Sequence, residues 1–475
     1  MFKRVLLIAP PSSSYLGAVR PPTGLGYIAQ SLLENEIEYA VADMRFRSDM
    51  STLQRQIRRF QPDLIGVSLI SLEYQRSYDL IHDIKEYYPR ASVIAGGAHV
   101  SASKESVLKE CAGIDFGVIG EAERVLVALC RGAQPLGEIP GLLYRQNGTV
   151  LCGPPRELVM DLDNIPFPTY THFDLKRYIK EIPLVTSRGC PCRCIFCPHS
   201  LMASRFRARG AVNVVDEIEY WHTQGVREFV VDDDNFTLVK QRVYDICDEI
   251  EKRALKGLFI RCANGVRGDA VDRELLARMK EIGVKEVGFG ADGGNNRVLQ
   301  EIVHKGETIE TIEQAIQDSI DVGLQVRLFI ILGHPGETMS DIEDSLALAQ
   351  RYPLIRLHLN NPIPYPGTEL FEWVQSHDCF LLPPEEYLNN VTDSDNTPVF
   401  ETPELTAEQR RQILLRAREI ERDVWQRAAE RMFENVPVIR TIAGWLFASR
   451  VGKWLFYENT LTRSLIGRIR YWLGK

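Results

Sequence analysis

The sequence predicts an α/β protein built from two consecutive units, a doubly wound, Rossmann-like N-terminal domain and a partial six-stranded (β/α)6 barrel, with a C-terminal helical extension. Three observations lead to this prediction. Strand-like apolar runs alternate with helical patterns in residues 1–135, the same alternation returns in residues 181–375, and residues 136–180 between them lack it. Such alternation is typical of parallel sheets covered by helices. A chain of 475 residues is long enough for two or three domains.

Five strand-like runs with helical patterns between them predict the first unit. The strand runs are Val5–Ala9, Tyr39–Ala42, Leu64–Leu69, Ser92–Ala95 and Phe116–Ile119, and helical patterns include Thr23–Glu34 and Gln75–Tyr88. In doubly wound sheets the ligand binds beyond the carboxyl ends of the strands. We therefore expect a ligand near the loops at residues 10–26, 68–74, 96–99 and 117–123.

Residues 136–180 are predicted to form a short hairpin, Gly141–Val150, and a linker. The stretch Asp161–Pro168 contains two prolines within three residues, among acidic side chains, which favours a linker. Six barrel strands follow, which are predicted at Ile182–Thr186, Glu228–Val231, Leu258–Cys262, Val284–Gly290, Val326–Leu332 and Ile355–Asn360. Residues 376–435 form the helical extension, in which Thr406 to Gln409 has the pattern of a capping box.

The composition excludes several classes of protein. The chain is 45% hydrophobic and 25% charged, as is ordinary for a soluble globular protein. Its net charge of −8 argues against general nucleic-acid binding, and we expect no nucleic-acid partner. Ten cysteines without a disulfide framework fit a reducing compartment, so we expect a cytoplasmic protein. The run Val5–Ala9 is too short for a signal peptide, and no uncharged apolar run reaches the roughly 18 residues of a membrane span.

Three closely spaced cysteines are the strongest sign of chemistry. Cys190, Cys194 and Cys197 have the spacing C-x3-C-x2-C, directly after the first predicted barrel strand. Thiolates are the usual ligands of iron–sulfur clusters, and three ligands on a four-iron cluster leave one iron open to a small molecule. The alternative is a structural zinc site with Cys192 or His199 as fourth ligand. Such sites usually draw their ligands from two separated pairs, and the chain has no second C-x-x-C pair.

The cysteine spacing, with Phe196 before the last cysteine, resembles the signature of radical S-adenosylmethionine (SAM) enzymes. In that family the open iron binds the amino and carboxylate groups of SAM, and the reduced cluster cleaves SAM to a 5′-deoxyadenosyl radical. The resemblance implies a 4Fe-4S cluster on Cys190, Cys194 and Cys197, with Cys192 as a bystander. It also implies a six-stranded barrel and an electron donor such as flavodoxin or ferredoxin.

Further segments at the ends of the predicted barrel strands match the same family. Asp232–Thr237 resembles a SAM-contacting loop of members with a cobalamin-binding domain, although a helix-capping turn is the alternative. Cys262–Arg267 resembles a segment that faces SAM, and Gly290–Gly294 carries an aspartate where the family usually has glutamate. Gly333–Thr338 and Pro364–Thr368 match late turns around the pocket. The SAM-binding residues implied by the resemblance are Phe196, Asp233, Asp234, Asn264, Arg267, Asp292, Gly333 and Pro335.

The first unit resembles the cobalamin-binding domain of the same subclass. The matching segments are Pro22–Ala29, Gly96–His99 and Gly120–Glu123, whose glycines allow a large flat ligand to approach the backbone. No Asp-x-His-x-x-Gly motif is present, so no histidine is evident as a lower cobalt ligand; the subclass generally lacks this motif too. A flavodoxin-like domain without a ligand is the alternative. The implied cobalamin-binding residues are Thr23, Gly24, Leu25, Ser68, Ser71, Gly96, Gly97, His99, Gly120 and Glu121.

The last 40 residues, 436–475, are basic and rich in aromatic and aliphatic side chains. Seven arginines and lysines accompany a single acid, Glu458. This composition fits an interfacial membrane helix, which would give peripheral contact with the inner membrane surface and would suit an apolar or lipid-like substrate. A helix packed on the barrel with its cations outside is the alternative, and nucleic-acid binding is less favoured.

The sequence therefore predicts a cobalamin-dependent radical SAM enzyme, and we expect a methyltransferase that acts on an unactivated carbon of a small-molecule or lipid-like substrate. A radical SAM cyclase or C–C bond-forming enzyme without methyl transfer is the second interpretation. A zinc-stabilised binding protein without enzyme activity is the third. Tyr365, His334 and His358 are further candidates for the barrel mouth, but the sequence assigns no catalytic residue and no substrate ligand.

Overall fold

The computed structural model describes residues 1–12, 19–46, 49–198 and 205–432, without the side chains of Ala263 and Asn264. The basic tail at 436–475 lies outside the described residues. Two large, mainly parallel sheets, of seven and six strands, organise the described part. No helix in these ranges is long and apolar enough to cross a membrane.

The first sheet contains all five predicted strands and has the order β2-β1-β3-β4-β5-β6-β7. Its parallel strands are β1 (Arg4–Ala9), β2 (Glu38–Asp43), β3 (Leu64–Ser68), β4 (Ser92–Gly96) and β5 (Phe116–Val118). The helices are α1 (Thr23–Glu34), α2 (Met50–Phe60), α3 (Tyr74–Tyr87), α4 (Ala98–Ser103), α5 (Glu105–Glu110) and α6 (Glu123–Arg131). The strand order reverses beside β1, which creates the crevice where doubly wound sheets bind ligands.

The hairpin after residue 135 belongs to the first sheet, whereas the sequence placed it with the linker. Strand β6 (Leu142–Gln146) pairs antiparallel with β5, and β7 (Thr149–Cys152) pairs antiparallel with β6. Without this hairpin the outer edge of β5 would present unpaired backbone groups. The first sheet therefore extends beyond the predicted boundary at residue 135.

The second sheet is the predicted partial barrel. Its parallel strands follow sequence order and are β8 (Glu181–Leu184), β11 (Glu228–Val231), β12 (Phe259–Val266), β13 (Val284–Gly290), β14 (Gln325–Ile331) and β15 (Arg356–Asn360). A separate two-stranded ribbon, β9 (Ser187–Arg188) and β10 (Arg207–Ala208), follows β8. The helices are α7 (Ala211–Thr223), α8 (Lys240–Lys252), α9 (Arg273–Glu281), α10 (Ile309–Val322) and α11 (Met339–Arg351), with a π-helical segment at Arg297–Ile302.

After the sixth barrel strand, the chain forms a small apolar unit that also contacts the first domain. It contains α12 (Glu369–Ser376) and α13 (Pro384–Asn390) around a buried cluster that includes Tyr387 and Phe400. The backbone N–H of Glu73, just before α3, donates to the carbonyl of Leu388 at 2.7 Å. This unit therefore bridges the barrel and the first domain.

The long helix α14 (Ala407–Met432) covers the edge of the barrel sheet. It begins with the predicted capping box, in which Thr406 N donates to Gln409 Oε1 at 2.9 Å. Glu421 Oε1 accepts a hydrogen bond from Leu359 N of β15 at 2.7 Å, and Arg418 donates to the Leu359 carbonyl. Side chains of the helix thereby satisfy backbone groups of β15, which is an edge strand of the sheet that the described residues form.

We expect Glu421→Ala to destabilise the barrel, because it leaves the buried Leu359 N–H without its acceptor. The expected loss is about 1–3 kcal/mol of unfolding free energy, measured by urea unfolding followed by circular dichroism. Glu419→Ala is the matched control, since Glu419 is exposed on the same helix and should change stability by less than about 0.5 kcal/mol. Equal effects of the two variants would contradict this role of Glu421.

Candidate active site

The three cysteines lie in an irregular loop that leaves the paired strands β9 and β10. Gly189 opens the loop with a φ of 84°, a left-handed conformation that glycine adopts without strain. The loop turns where Cys197 N donates to the carbonyl of Cys194 at 3.0 Å. Cys190, Cys194 and Cys197 are all partly buried. The structure thus brings all three predicted ligands into one short loop.

Asp233 holds the start of this loop from the end of β11. Its buried carboxylate accepts hydrogen bonds from Thr186 N, Thr186 Oγ1 and Ser187 Oγ, each at 2.6 Å, and Arg242 lies 3.5 Å away. Burial raises the pKa of Asp233, and these donors oppose the rise. Its oxygens therefore support the chain just before the cysteine loop, and a direct contact of Asp233 with SAM stays a prediction.

The neighbouring aspartates point in two other directions. Asp234 Oδ2 accepts a hydrogen bond from Gly189 N at 2.9 Å and thereby fixes the beginning of the cysteine loop. Asp232 faces the first domain, where it meets Arg20 Nη1 at 3.3 Å and accepts a hydrogen bond from Thr23 Oγ1 at 3.2 Å. The helix-capping alternative therefore does not describe these contacts, which join three parts of the chain.

Charged side chains surround the cysteines. Lys305 Nζ is 2.7 Å from Asp292 Oδ2, and Arg267 Nη1 donates to Cys192 Sγ at 3.0 Å. Burial raises the pKa of Cys194 to about 11, and the nearby Lys305 opposes this rise. A cation near a thiol favours the thiolate, which is the form that binds iron. The donor set and its surroundings therefore fit an iron–sulfur cluster.

Within the described ranges, no three His, Cys, Asp or Glu side chains converge to hold a single metal ion. A cubane cluster does not require such convergence, because each cysteine binds a different iron atom.

The other predicted SAM contacts lie at the same end of the barrel. Gly333, with a φ of 98°, and Pro335 form the turn after β14, and Glu337 Oε2 accepts the backbone N–H of Gly333 at 2.6 Å. Phe196 faces His334, with 5.5 Å between the ring centroids. The side chain of Asn264 lies outside the description. The direct contacts of these residues with SAM stay predictions.

The three candidates for the barrel mouth are packed groups in this structure. His334 is fully buried, and burial lowers its pKa to about 4. His358 stacks on Phe329, with 4.9 Å between the ring centroids. Burial raises the pKa of Tyr365 above its usual range. These packed positions assign no chemical role to His334, His358 or Tyr365.

At the carboxyl edge of the first sheet, several glycines present open backbone. Apart from their neighbours in the chain, no atom of the described residues lies within 4 Å of a Cβ built on Gly24 or Gly96. Gly97 has a φ of 105°, and a Cβ there would lie 2.5 Å from the carbonyl oxygen of Leu69. Ser68 ends β3 at the same edge. This open surface fits the close approach of a large flat ligand such as cobalamin.

Other predicted cobalamin contacts are buried below this edge. His99 Nε2 lies 3.1 Å from Tyr78 Oη, and Nδ1 lies 3.4 Å from Ser71 Oγ. The ring also stacks on Tyr74, and burial lowers the pKa of His99 to about 4. Leu25 belongs to the apolar core. The structure shows internal contacts for His99, Ser71 and Leu25, and their contacts with cobalamin stay predictions.

Two of the predicted cobalamin-binding residues contact the barrel. Thr23 contacts Asp232, and Glu121 forms an ion pair with Arg207. The backbone of Gly120 is fixed by Ser101, whose Oγ accepts its N–H at 2.9 Å. The sequence did not predict the ion pairs between the domains, because a local sequence pattern does not show which acid pairs with which base.

Comparisons with known proteins agree with this arrangement. Residues 184–349 match the radical SAM superfamily, and residues 15–130 match the B12 binding domain. An uncharacterized methyltransferase of Pyrococcus horikoshii is 30% identical over 428 residues, which cover 87% of this chain and 91% of the relative. An anaerobic magnesium-protoporphyrin IX monomethyl ester cyclase of Rubrivivax gelatinosus is 27% identical, over 74% of this chain and 66% of the cyclase.

A solved structure has the same fold. The radical SAM methyltransferase TsrM from Kitasatospora setae, with cobalamin and a [4Fe-4S] cluster bound, superposes with a TM-score of 0.69 and 20% identity. The match covers 79% of this chain and 75% of TsrM.

The two matching domains, the fold and the cysteine loop define an enzyme of the radical SAM superfamily. More particularly, the chain belongs to the cobalamin-dependent radical SAM enzymes, the family that combines this barrel with a B12-binding domain. The three predicted cofactors, a 4Fe-4S cluster, SAM and cobalamin, are thereby confirmed as those of its family.

We expect alanine at Cys190, Cys194 or Cys197 to abolish cluster binding, because each removes one of three ligands. Protein reconstituted without oxygen should contain about four irons per chain, as for one cubane cluster, and each variant should contain less than about a quarter of that amount. Iron analysis provides the measurement. Cys192→Ala is the control within the same loop and should keep its iron; its failure to do so would make Cys192 a ligand.

We expect Gly96→Val to weaken cobalamin binding, because the new side chain fills the open face above β4. The dissociation constant for hydroxocobalamin, measured by equilibrium dialysis, should rise about tenfold or more, which corresponds to about 1.4 kcal/mol. Ser92→Val, at the other end of the same strand, should bind normally. Unchanged affinity of Gly96→Val would place the ligand elsewhere.

Proposed function

We propose that the enzyme transfers a methyl group to an unactivated carbon of a small, apolar or lipid-like substrate. The observation that carries this proposal is the way the open edge of the first sheet is fixed against the cysteine loop. Thr23 and Glu121 lie at that edge, and their barrel partners, Asp232 and Arg207, flank the cysteine loop. A B12 domain held in this way supports a reaction that uses both cofactor sites.

The residues of the chain would serve mainly as holders of the cofactors. SAM bound at the cluster supplies radical chemistry, and cobalamin supplies methyl transfer, when both are present. Cys190, Cys194 and Cys197 would hold the cluster, and the turn at Gly333 would line the SAM pocket. The glycines at 24 and 96 would face the cobalamin ring.

The methyltransferase from Pyrococcus horikoshii supports methyl transfer, since its similarity spans most of both chains. The cyclase from Rubrivivax gelatinosus supports a second candidate, a radical cyclisation without methyl transfer. The apolar character of the substrate, and contact with a membrane surface, rest only on the composition of residues 436–475. Electrons would come from a donor such as flavodoxin or ferredoxin.

We expect the reconstituted enzyme to transfer label from SAM with a deuterated methyl group into a product extractable with organic solvent. A cell extract from the source organism supplies the substrate, and mass spectrometry detects the labelled product together with 5′-deoxyadenosine. Cys194→Ala is the control and should form neither product.

Each alternative outcome decides a different part of the proposal. Formation of 5′-deoxyadenosine without label transfer would favour the cyclase or C–C bond-forming reaction. Label found only in water-soluble products would keep methyl transfer but reject the lipid-like substrate.

A further inference from the structure

Two acids of the first domain form ion pairs with the two arginines of the ribbon that flanks the cysteine loop. Arg207 donates to both carboxylate oxygens of Glu121, at 2.5 and 3.1 Å, and its side chain is fully buried. Arg188 meets Glu123 Oε1 at 2.7 Å and Glu121 Oε1 at 3.5 Å. We call these four residues the loop-base clamp. They lie where the loop after β5 meets the β9–β10 ribbon.

The clamp holds the chain on both sides of the cysteines, because the two strands of the ribbon pair with each other. Arg188 and Arg207 are direct partners across the two antiparallel strands. All three cluster cysteines lie between them in the sequence. Glu121 therefore contacts both strands that flank the cysteines, and Glu123 contacts one of them.

The acids of the clamp follow directly on the cobalamin edge of the first domain. Glu121 comes after Gly120, whose φ of 85° lets the chain turn at the end of β5. Glu123 begins helix α6. A ligand that orders this turn therefore also orders the partners of Arg188 and Arg207.

A second set of contacts joins another loop at the predicted cobalamin-binding edge to the same part of the barrel. Arg20 and Thr23, in the segment after β1, both contact Asp232. The next residue, Asp233, holds Thr186 and Ser187 just ahead of Arg188. Two separate loops of the first domain are thus fixed to the support of the cysteine loop.

We propose that the loop-base clamp couples the two cofactor sites, so that bound cobalamin tightens SAM binding and bound SAM tightens cobalamin binding by the same factor. The equality of the two factors is a thermodynamic necessity for any pair of coupled binding sites. The physical basis is that Arg188 and Arg207 have little exposure to water and cannot move away from Glu123 and Glu121 without losing their counter-charges. The inference rests on the proposed use of both cofactors.

The test measures the coupling factor itself. The dissociation constant of SAM is determined by equilibrium dialysis on cluster-loaded protein, with and without saturating hydroxocobalamin. We expect cobalamin to tighten SAM binding about fivefold or more in the unaltered protein, within the usual range of such couplings. Glu123→Gln should bring this factor below about twofold. Glu123 is preferred over Glu121 because Glu121 was also predicted to touch cobalamin.

The controls separate coupling from simple folding defects. Glu86→Gln changes an exposed acid of α3 in the same domain and should keep the full factor. Arg188→Lys keeps the positive charge and should restore part of the coupling that Arg188→Gln loses. Hydrogen exchange of residues 189–198 in the unaltered protein adds a measurement that needs no variant, since cobalamin should slow it.

The outcomes distinguish this inference from the proposed function. Unaltered protein that binds both cofactors with a coupling factor of one, and unchanged exchange in the loop, would overturn the clamp but leave the enzyme assignment intact. A coupling factor that stays unchanged in Glu123→Gln would also overturn the proposed role of the clamp. Protein that binds no cobalamin at all would remove both the inference and the proposed methyl transfer.

Discussion

The structure depends on the carboxylates at the end of one barrel strand, because they fix the irregular loop that carries the cysteines. Three aspartates follow β11 directly, and their carboxylates point in three directions; they are Asp232, Asp233 and Asp234. One meets the first domain, one anchors the end of β8, and one holds the beginning of the cysteine loop. Because the loop has little regular hydrogen bonding of its own, these carboxylates replace the backbone partners that a helix or strand would supply.

The interface between the domains combines apolar packing with ion pairs, and the ion pairs determine its geometry more than its stability. Buried ion pairs gain little net free energy, because removing the charges from water costs about as much as their attraction returns. The planar guanidinium of Arg207 nevertheless binds both oxygens of Glu121 and therefore fixes direction as well as distance. An apolar interface of equal area would hold the domains together without specifying their alignment so closely.

The sequence predicted the elements well because their periodicity is local. Helix α1 has the predicted bounds, and the parallel strands of both sheets lie within a few residues of the predicted runs. The contact made by an individual side chain was less predictable. His99 and Asp233 follow strands at ligand-binding edges, yet both face inward, since partners more than twenty residues away determine their direction. Hairpin pairing to β5 and the match of Glu121 with Arg207 are likewise non-local.

The inward face of the barrel strands carries charged residues and glycines as well as apolar side chains. Arg261 lies between two residues of β12 that pack against helices, so it faces inward, where it pairs with Glu181. Glu286 is the neighbour of Arg261 in register, and Gly288 and Gly290 follow on the same face of β13. A closed barrel would fill these positions with branched apolar side chains. Here ion pairs lie toward the amino ends of the strands instead, and glycines lie toward the carboxyl ends, where Asp292 and Lys305 approach Gly290.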